Sequence, residues 1–178
     1  MGDTPGPVTD PWAGEPLDRD RALSGSDAVL VPVESIAEGL RIAESDTLAV
    51  SGLLVPDRRE IWLNAEETRQ SAGRRRFTIA HELGHWVCQV LEGHTAPIYC
   101  RAVDLAAVGA GPAPPARDRQ LEREANVFAG ELLMPEPTVR DEFSRTDSVE
   151  TMAAGFGVSA EAMHWRLYNF GLLEEPPA

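Results

Sequence analysis

Lysine is absent from this chain: all 16 basic residues are arginine, and 29 acidic residues leave a formal net charge of -13. Such a charge repels phosphate backbones, so direct contact with nucleic acid is not expected. Cysteine is nearly absent too, with only Cys88 and Cys100, too few for a disulfide framework. No apolar run approaches the roughly 18 residues of a membrane span, so no membrane contact is expected. The opening residues, MGDTPGPVTDPW, lack the basic start and apolar stretch of a secretory signal. A reducing cytoplasm is the expected setting. The chain also lacks internal repeats, which excludes solenoids and propellers.

What is present suffices for one domain, since 178 residues of which 43% are hydrophobic can bury a sizeable core. Residues 1–27 mix proline, glycine and acids with almost no aliphatic spacing, a composition expected to form a disordered leader. The folded unit is expected over 28–173, with 174–178 as a tail. Within it, Ile36, Leu40 and Ala43 repeat at helical spacing and predict a short amphipathic helix over 34–42. The β-rich runs from Thr47 to Val55 and from Glu60 to Asn64 flank Pro56-Asp57-Arg58-Arg59, a turn composition. They predict an antiparallel hairpin whose edge could receive an extended peptide. Helical pattern runs from Glu66 to Leu91 with a break near Gly73, and again from Arg117 to Leu133, stopped by Pro135. Between these two segments the glycines and prolines of 109–116 predict a flexible loop. Residues 148–173 predict two short helices joined at Gly157-Val158-Ser159, with Ser159 as an N-cap. The fold class expected from these elements is α+β.

His81-Glu82-Leu83-Gly84-His85 fits the HExxH pattern. Histidines four apart lie only about 40° apart around a helix and one turn along it, so both imidazoles can grip one metal ion. Taking His81 as origin, Ile79, Leu83, Trp86, Val87 and Val90 fall on the opposite side, while His85 and Phe77 share the histidine direction. The expected arrangement is a helix buried along one side that presents two histidines and a glutamate to a cleft. A catalytic zinc site needs a third protein ligand and an open position. Two carboxylates on the later helix are candidates. Glu122 shares a face with Ala125, Asn126, Ala129 and Leu133, whereas Glu124 lies about 200° away beside Glu131.

The segment Arg76-Phe77-Thr78-Ile79-Ala80-His81-Glu82-Leu83-Gly84-His85-Trp86, followed by Glu122-x-x-Ala125-Asn126-x-Phe128-Ala129-x-x-Leu132-Leu133-Met134-Pro135, resembles the ImmA/IrrE metallopeptidase family. The resemblance covers most of residues 31–172, including Ile61-Trp62-Leu63-Asn64 and Phe156-Gly157-Val158-Ser159. It implies a small zincin of the gluzincin type, with zinc held by His81, His85 and Glu122. It also implies Glu82 as general base and Asn126, four residues after the ligand glutamate, as the residue that orients a ligand from outside. Several members of the family cleave DNA-binding repressors, which implies a regulatory protease with a protein substrate. Some carry a separate DNA-binding domain. The stretch ahead of the hairpin is too short for one, so direct DNA targeting is not expected.

An oxyanion stabiliser is expected near the zinc, and His94, Tyr99, His164 and Tyr168 are the histidines and tyrosines available for it. Cys88 falls within about 20° of His81 on the wheel, so its thiol could approach the metal, although a small buried apolar residue explains it more simply. A thiolate from Cys100 could occupy the open position and keep an enzyme latent, but an ordinary thiol explains that residue equally well. The reading is a zinc endopeptidase. Two others compete with it: a zinc-binding regulatory module that cleaves nothing, and a DNA-binding regulator using the C-terminal helices.

Overall fold

A computed structural model describes residues 30–100, 116–146 and 148–177, apart from the side chains of 99, 100 and 116–119. The leader expected over 1–27 and the loop expected over 109–116, up to residue 115, lie outside the described residues.

The chain enters through α1 (Val33–Ile36), a single helical turn. Gly39 then adopts φ 100°, a backbone conformation that other residues resist, and the chain straightens into β1 (Arg41–Ser45). The helix expected over 34–42 is therefore one turn long; a turn follows it, and the last two residues of that span, Arg41 and Ile42, are strand. Three apolar residues at helical spacing are a weak local signal, and parallel pairing of β1 with a strand nineteen positions later overrides it.

The hairpin forms as expected from β2 (Gly52–Val55) and β3 (Glu60–Asn64). Between them Pro56–Arg58 make a 3-10 turn, and Arg59 takes the left-handed φ of 51°. The mixed sheet has the order β1-β3-β2-β4, where β4 spans Ile98–Cys100 and runs antiparallel to β2. Both hairpin strands are thus interior, and among the described residues the edges are β1 and β4. The hairpin was expected to offer an edge; its flanks are taken by non-local pairing that its own residues do not announce.

Asn64 accepts from the backbone N–H groups of Glu66 and Glu67 and so starts α2 (Ala65–Gln70). The break expected near Gly73 falls at Ser71, in extended conformation, whose hydroxyl caps α3 (Ala72–His85). The helix then widens into a π-turn over Trp86–Val90. Next come α4 (Ala116–Leu133), α5 (Glu136–Arg145), α6 (Val149–Phe156) and α7 (Ala160–Asn169). Serine caps start the last two, at Ser148 and at the expected Ser159, and Gly157 turns between them at φ 65°.

One apolar cluster unites Leu54, Ile61 and Leu63 of the sheet with Ile79, Ala80 and Leu83 of α3. Phe128, Ala129 and Leu132 of α4, and Phe156, Met163 and Leu167 of the last two helices, belong to the same cluster. Every residue of α3 from Thr78 onward is buried. This half of the helix is therefore enclosed all round, and the small residues of α4 cover the face expected to line a cleft. Two glycines permit this. A Cβ on Gly84 would stand 2.8 Å from the Ala125 Cα and 2.9 Å from its carbonyl oxygen, so the two helix backbones touch. A Cβ on Gly52 would collide with the Glu82 carboxylate and lie 2.8 Å from the Thr78 methyl. Among the described residues no helix is long and apolar enough to cross a membrane.

Gly84→Ala is expected to destabilise the fold by about 1–3 kcal/mol, because backbone rather than a flexible side chain must yield. Urea unfolding of the two proteins tests this, and equal midpoints would refute the close crossing.

Candidate metal centre

Helix α3 delivers His81 and His85 one turn apart, with rings perpendicular at 86° and centroids 4.6 Å apart. Their Nε2 atoms face each other at 3.0 Å. From α4 the Glu122 carboxylate closes the triangle, at 3.3 Å from the His81 Nε2 and 3.4 Å from the His85 Nε2. One ligand atom from each residue lies within 4.8 Å of the others. Glu124, the competing carboxylate, instead accepts from the Gln120 amide at 2.9 Å on the exposed side of α4.

Hydrogen bonds behind the rings decide what the rings present. The His81 Nδ1 meets the Asn126 Oδ1 at 3.0 Å, and the His85 Nδ1 meets the Gln89 Oε1 at 2.6 Å. An amide oxygen only accepts, so each Nδ1 carries the proton and each Nε2 turns a lone pair inward. Two such nitrogens and a carboxylate aimed at one point repel each other unless they share a cation, which is the donor set of a zinc site with a position left open. His81, His85 and Glu122 therefore form a cluster that fits a metal ion.

The electrostatics carry the same imprint. Burial opposes ionisation of Glu122, but without metal a proton taken up at Nε2 turns the His81 and His85 rings into charged donors, whose hydrogen bonds and charges outweigh burial and lower the carboxyl to about 2. Burial disfavours a charged His85, yet the hydrogen bond to Glu122, the charge of Glu82, the Gln89 contact and the charge of Glu122 together raise its pKa. Glu82 itself is fully buried, at 0% exposure, with its carboxylate against Gly52 and Thr78.

The remaining sequence candidates are dispersed. Cys88 and His94 line a hollow with Gln89, Glu92, Gln120 and Glu124. The His164 Nε2 donates to the Glu175 carbonyl at 3.0 Å, and Tyr168 stacks edge-on with Trp165 at the surface. The side chains of Tyr99 and Cys100 lie outside the described residues. Sequence reasoning passed over Gln89, although it stands four residues after His85 and so on the same helix face, the signal that singles out Asn126 after Glu122.

Two expectations follow for metal binding. Glu122→Ala should weaken zinc binding at least tenfold and Glu124→Ala should leave it unchanged, as read by chelator competition; the reverse order would overturn the ligand assignment. The second concerns pH. In the metal-free protein a proton on His85 is favoured by the raised pKa, and its contribution to stability is fully present below about 6.5 and lost as pH rises through the higher folded value. Zinc must displace that proton, so its apparent affinity should fall by up to about tenfold per unit as pH drops below the folded pKa. A zinc affinity constant from pH 8 to pH 5.5 would refute this.

Comparison with known proteins follows the same line. The model of the IrrE N-terminal-like domain, Peptidase_M78, matches residues 37–168, a span that includes both histidines and Glu122. Among solved structures, a Mycobacterium tuberculosis transcriptional regulator is similar with a TM-score of 0.54 and 22% identity. The match covers 84% of this chain and 44% of that one, so the likeness is one of fold, and this chain spans less than half of that protein. A search of curated proteins finds no match. With the family model running from the turn before β1 almost to the end of α7, the chain belongs to the IrrE N-terminal-like domain family of peptidases.

Proposed function

We propose that the protein is a zinc-dependent endopeptidase that cuts a protein substrate in the cytoplasm, acting as a regulatory rather than a degradative protease. The observation that carries this reading is the convergence of the His81, His85 and Glu122 donor atoms beside the buried carboxylate of Glu82. Zinc held there polarises a peptide carbonyl and lowers the pKa of water. Glu82, one residue along from His81, takes the proton of the attacking water and returns it to the leaving amine nitrogen. Asn126 keeps the His81 ring in the tautomer that serves the site.

The sheet supplies the means of holding a peptide. Of the edges among the described residues, β4 pairs with β2, and Gly52 of β2 abuts Glu82. An extended segment that adds to the outer side of β4 therefore lies nearer the site than one added to β1. The favoured substrate is a DNA-binding repressor, in keeping with the family resemblance and with the regulator among the structural neighbours. The C-terminal helices are part of the catalytic unit. Their inner faces are buried at Phe156, Met163 and Leu167, and from Asp147 onward five acids face a single arginine, Arg166, a balance unsuited to phosphate contact.

One observation favours the non-cleaving alternative. Glu82 has no exposed surface, so catalysis requires that water and substrate reach it. The test is to incubate the zinc-loaded chain and Glu82→Gln with DNA-binding repressors encoded beside its gene and to map cleavage. Glu82→Gln should keep its zinc and lose about 100- to 10,000-fold in hydrolysis. A Glu82→Gln protein that cuts at the wild-type rate would overturn the base assignment. A zinc-loaded wild type that leaves every repressor and a generic unfolded substrate intact would favour the regulatory module.

A further inference from the structure

Gln89 occupies the π-turn that follows the histidine pair and is 5% exposed. Three contacts hold it. Its Oε1 faces the His85 Nδ1 at 2.6 Å, its Nε2 donates to the Leu121 carbonyl at 3.1 Å, and its own carbonyl accepts from the His94 N–H at 3.0 Å. Leu121 immediately precedes Glu122 in the chain. One side chain therefore connects the ring of one metal-binding residue to the backbone beside another, across 32 positions of sequence.

The chemistry of the amide makes this connection directional. A carbonyl can only accept, so the nitrogen end of Gln89 must face Leu121 and the oxygen end must face His85. That orientation admits only a protonated Nδ1, which leaves the His85 Nε2 lone pair aimed at His81 and Glu122. An inverted amide would set oxygen against oxygen at Leu121 and nitrogen against N–H at His85. The Leu121 carbonyl thus dictates, through Gln89, which nitrogen of His85 binds metal. Since His85 is 0% exposed, no water competes for the Nδ1 position.

We propose that Gln89 is a positioning residue for metal: it sets the tautomer and orientation of His85 and ties that ring to the helix that carries Glu122. The inference rests on the metal-site reading of His81, His85 and Glu122 and adds to it a residue that touches neither metal nor substrate. A merely structural Gln89 would lower the stability of the fold and leave the metal's surroundings unchanged. A positioning Gln89 changes those surroundings.

The test uses the full chain, Gln89→Met and Gln89→Glu. Zn(II) and Co(II) affinities are read by chelator competition, together with the Co(II) d–d absorption, and circular dichroism checks the fold. Gln89→Met, close in shape but without acceptor or donor, should bind both ions about 10- to 100-fold more weakly and show an altered d–d band. Gln89→Glu keeps an acceptor at Nδ1, so it should bind more tightly than Gln89→Met, with a band shifted from that of the wild type. A folded Gln89→Met with affinities within twofold of the wild type and the same band would overturn the proposal and leave the three ligands standing. Should Gln89→Met fail to fold, a Gln89→Glu protein with the wild-type band and affinities would overturn it. A wild-type chain that binds neither ion would overturn the metal-site reading as well.

Discussion

The close approach of α3 and α4 at Gly84 and Ala125 is the contact on which the rest depends. The donor atoms of the candidate metal site sit on two helices, and His85 and Glu122 can face each other at 3.4 Å only if the helix axes come near enough for backbone to meet backbone. The small residues Ala125 and Ala129 on α4 serve the same end, each fully buried. Packing at this density fixes the helices against sliding, because any shift would drive atoms into hard contact. The donor triangle is thus a product of the apolar core, and the polar residues supply its chemistry once the core has set its dimensions.

Polar orientation adds what packing cannot. Each histidine is backed by an amide, Asn126 for His81 and Gln89 for His85, and no carboxylate is hydrogen-bonded to either Nδ1 among the described residues. A neutral acceptor fixes a tautomer without adding a second negative charge to a region that already holds Glu82 and Glu122. Two buried or half-buried carboxylates within one site are costly to ionise together, and an acidic residue in place of either amide would add a third. Elsewhere acidic residues such as Glu34, Glu44 and Asp46 stay in contact with solvent and pair with Arg75 and Arg69.

What was legible in the sequence follows from the range of the interactions involved. HELGH and its apolar stripe lie within four turns of one helix, so periodicity sufficed to separate the histidines from Ile79 and Leu83. The same reasoning distinguished Glu122 from Glu124. The serine cap at 159 and the stop at Pro135 are local too. By contrast, β1 exists because of pairing with β3, and the identity of the sheet edges depends on β4, three residues long. Helix α5 was not anticipated: Pro135 was read only as the stop of the helix before it, although proline is tolerated at a helix start, where its missing N–H has no partner to lose. Gln89 was half legible: its spacing from His85 is local, but its other partner, Leu121, is reached only in three dimensions. The all-round burial of α3 from Thr78 onward likewise required knowing that α4 returns to cover the histidine face.

The gap at Gly52 has a consequence for how the sheet and the Glu82 carboxylate are aligned. A strand interior ordinarily favours branched side chains, and β2 continues with Leu53, Leu54 and Val55. At its first position the side chain is missing, and the Glu82 carboxylate fills the space. Sliding β2 by one residue would bring Ser51 or Leu53 to that place and reverse which faces of the strand are buried. The registry of the sheet and the aim of Glu82 are therefore a single variable, encoded by the position of one hydrogen atom where every other amino acid would place carbon.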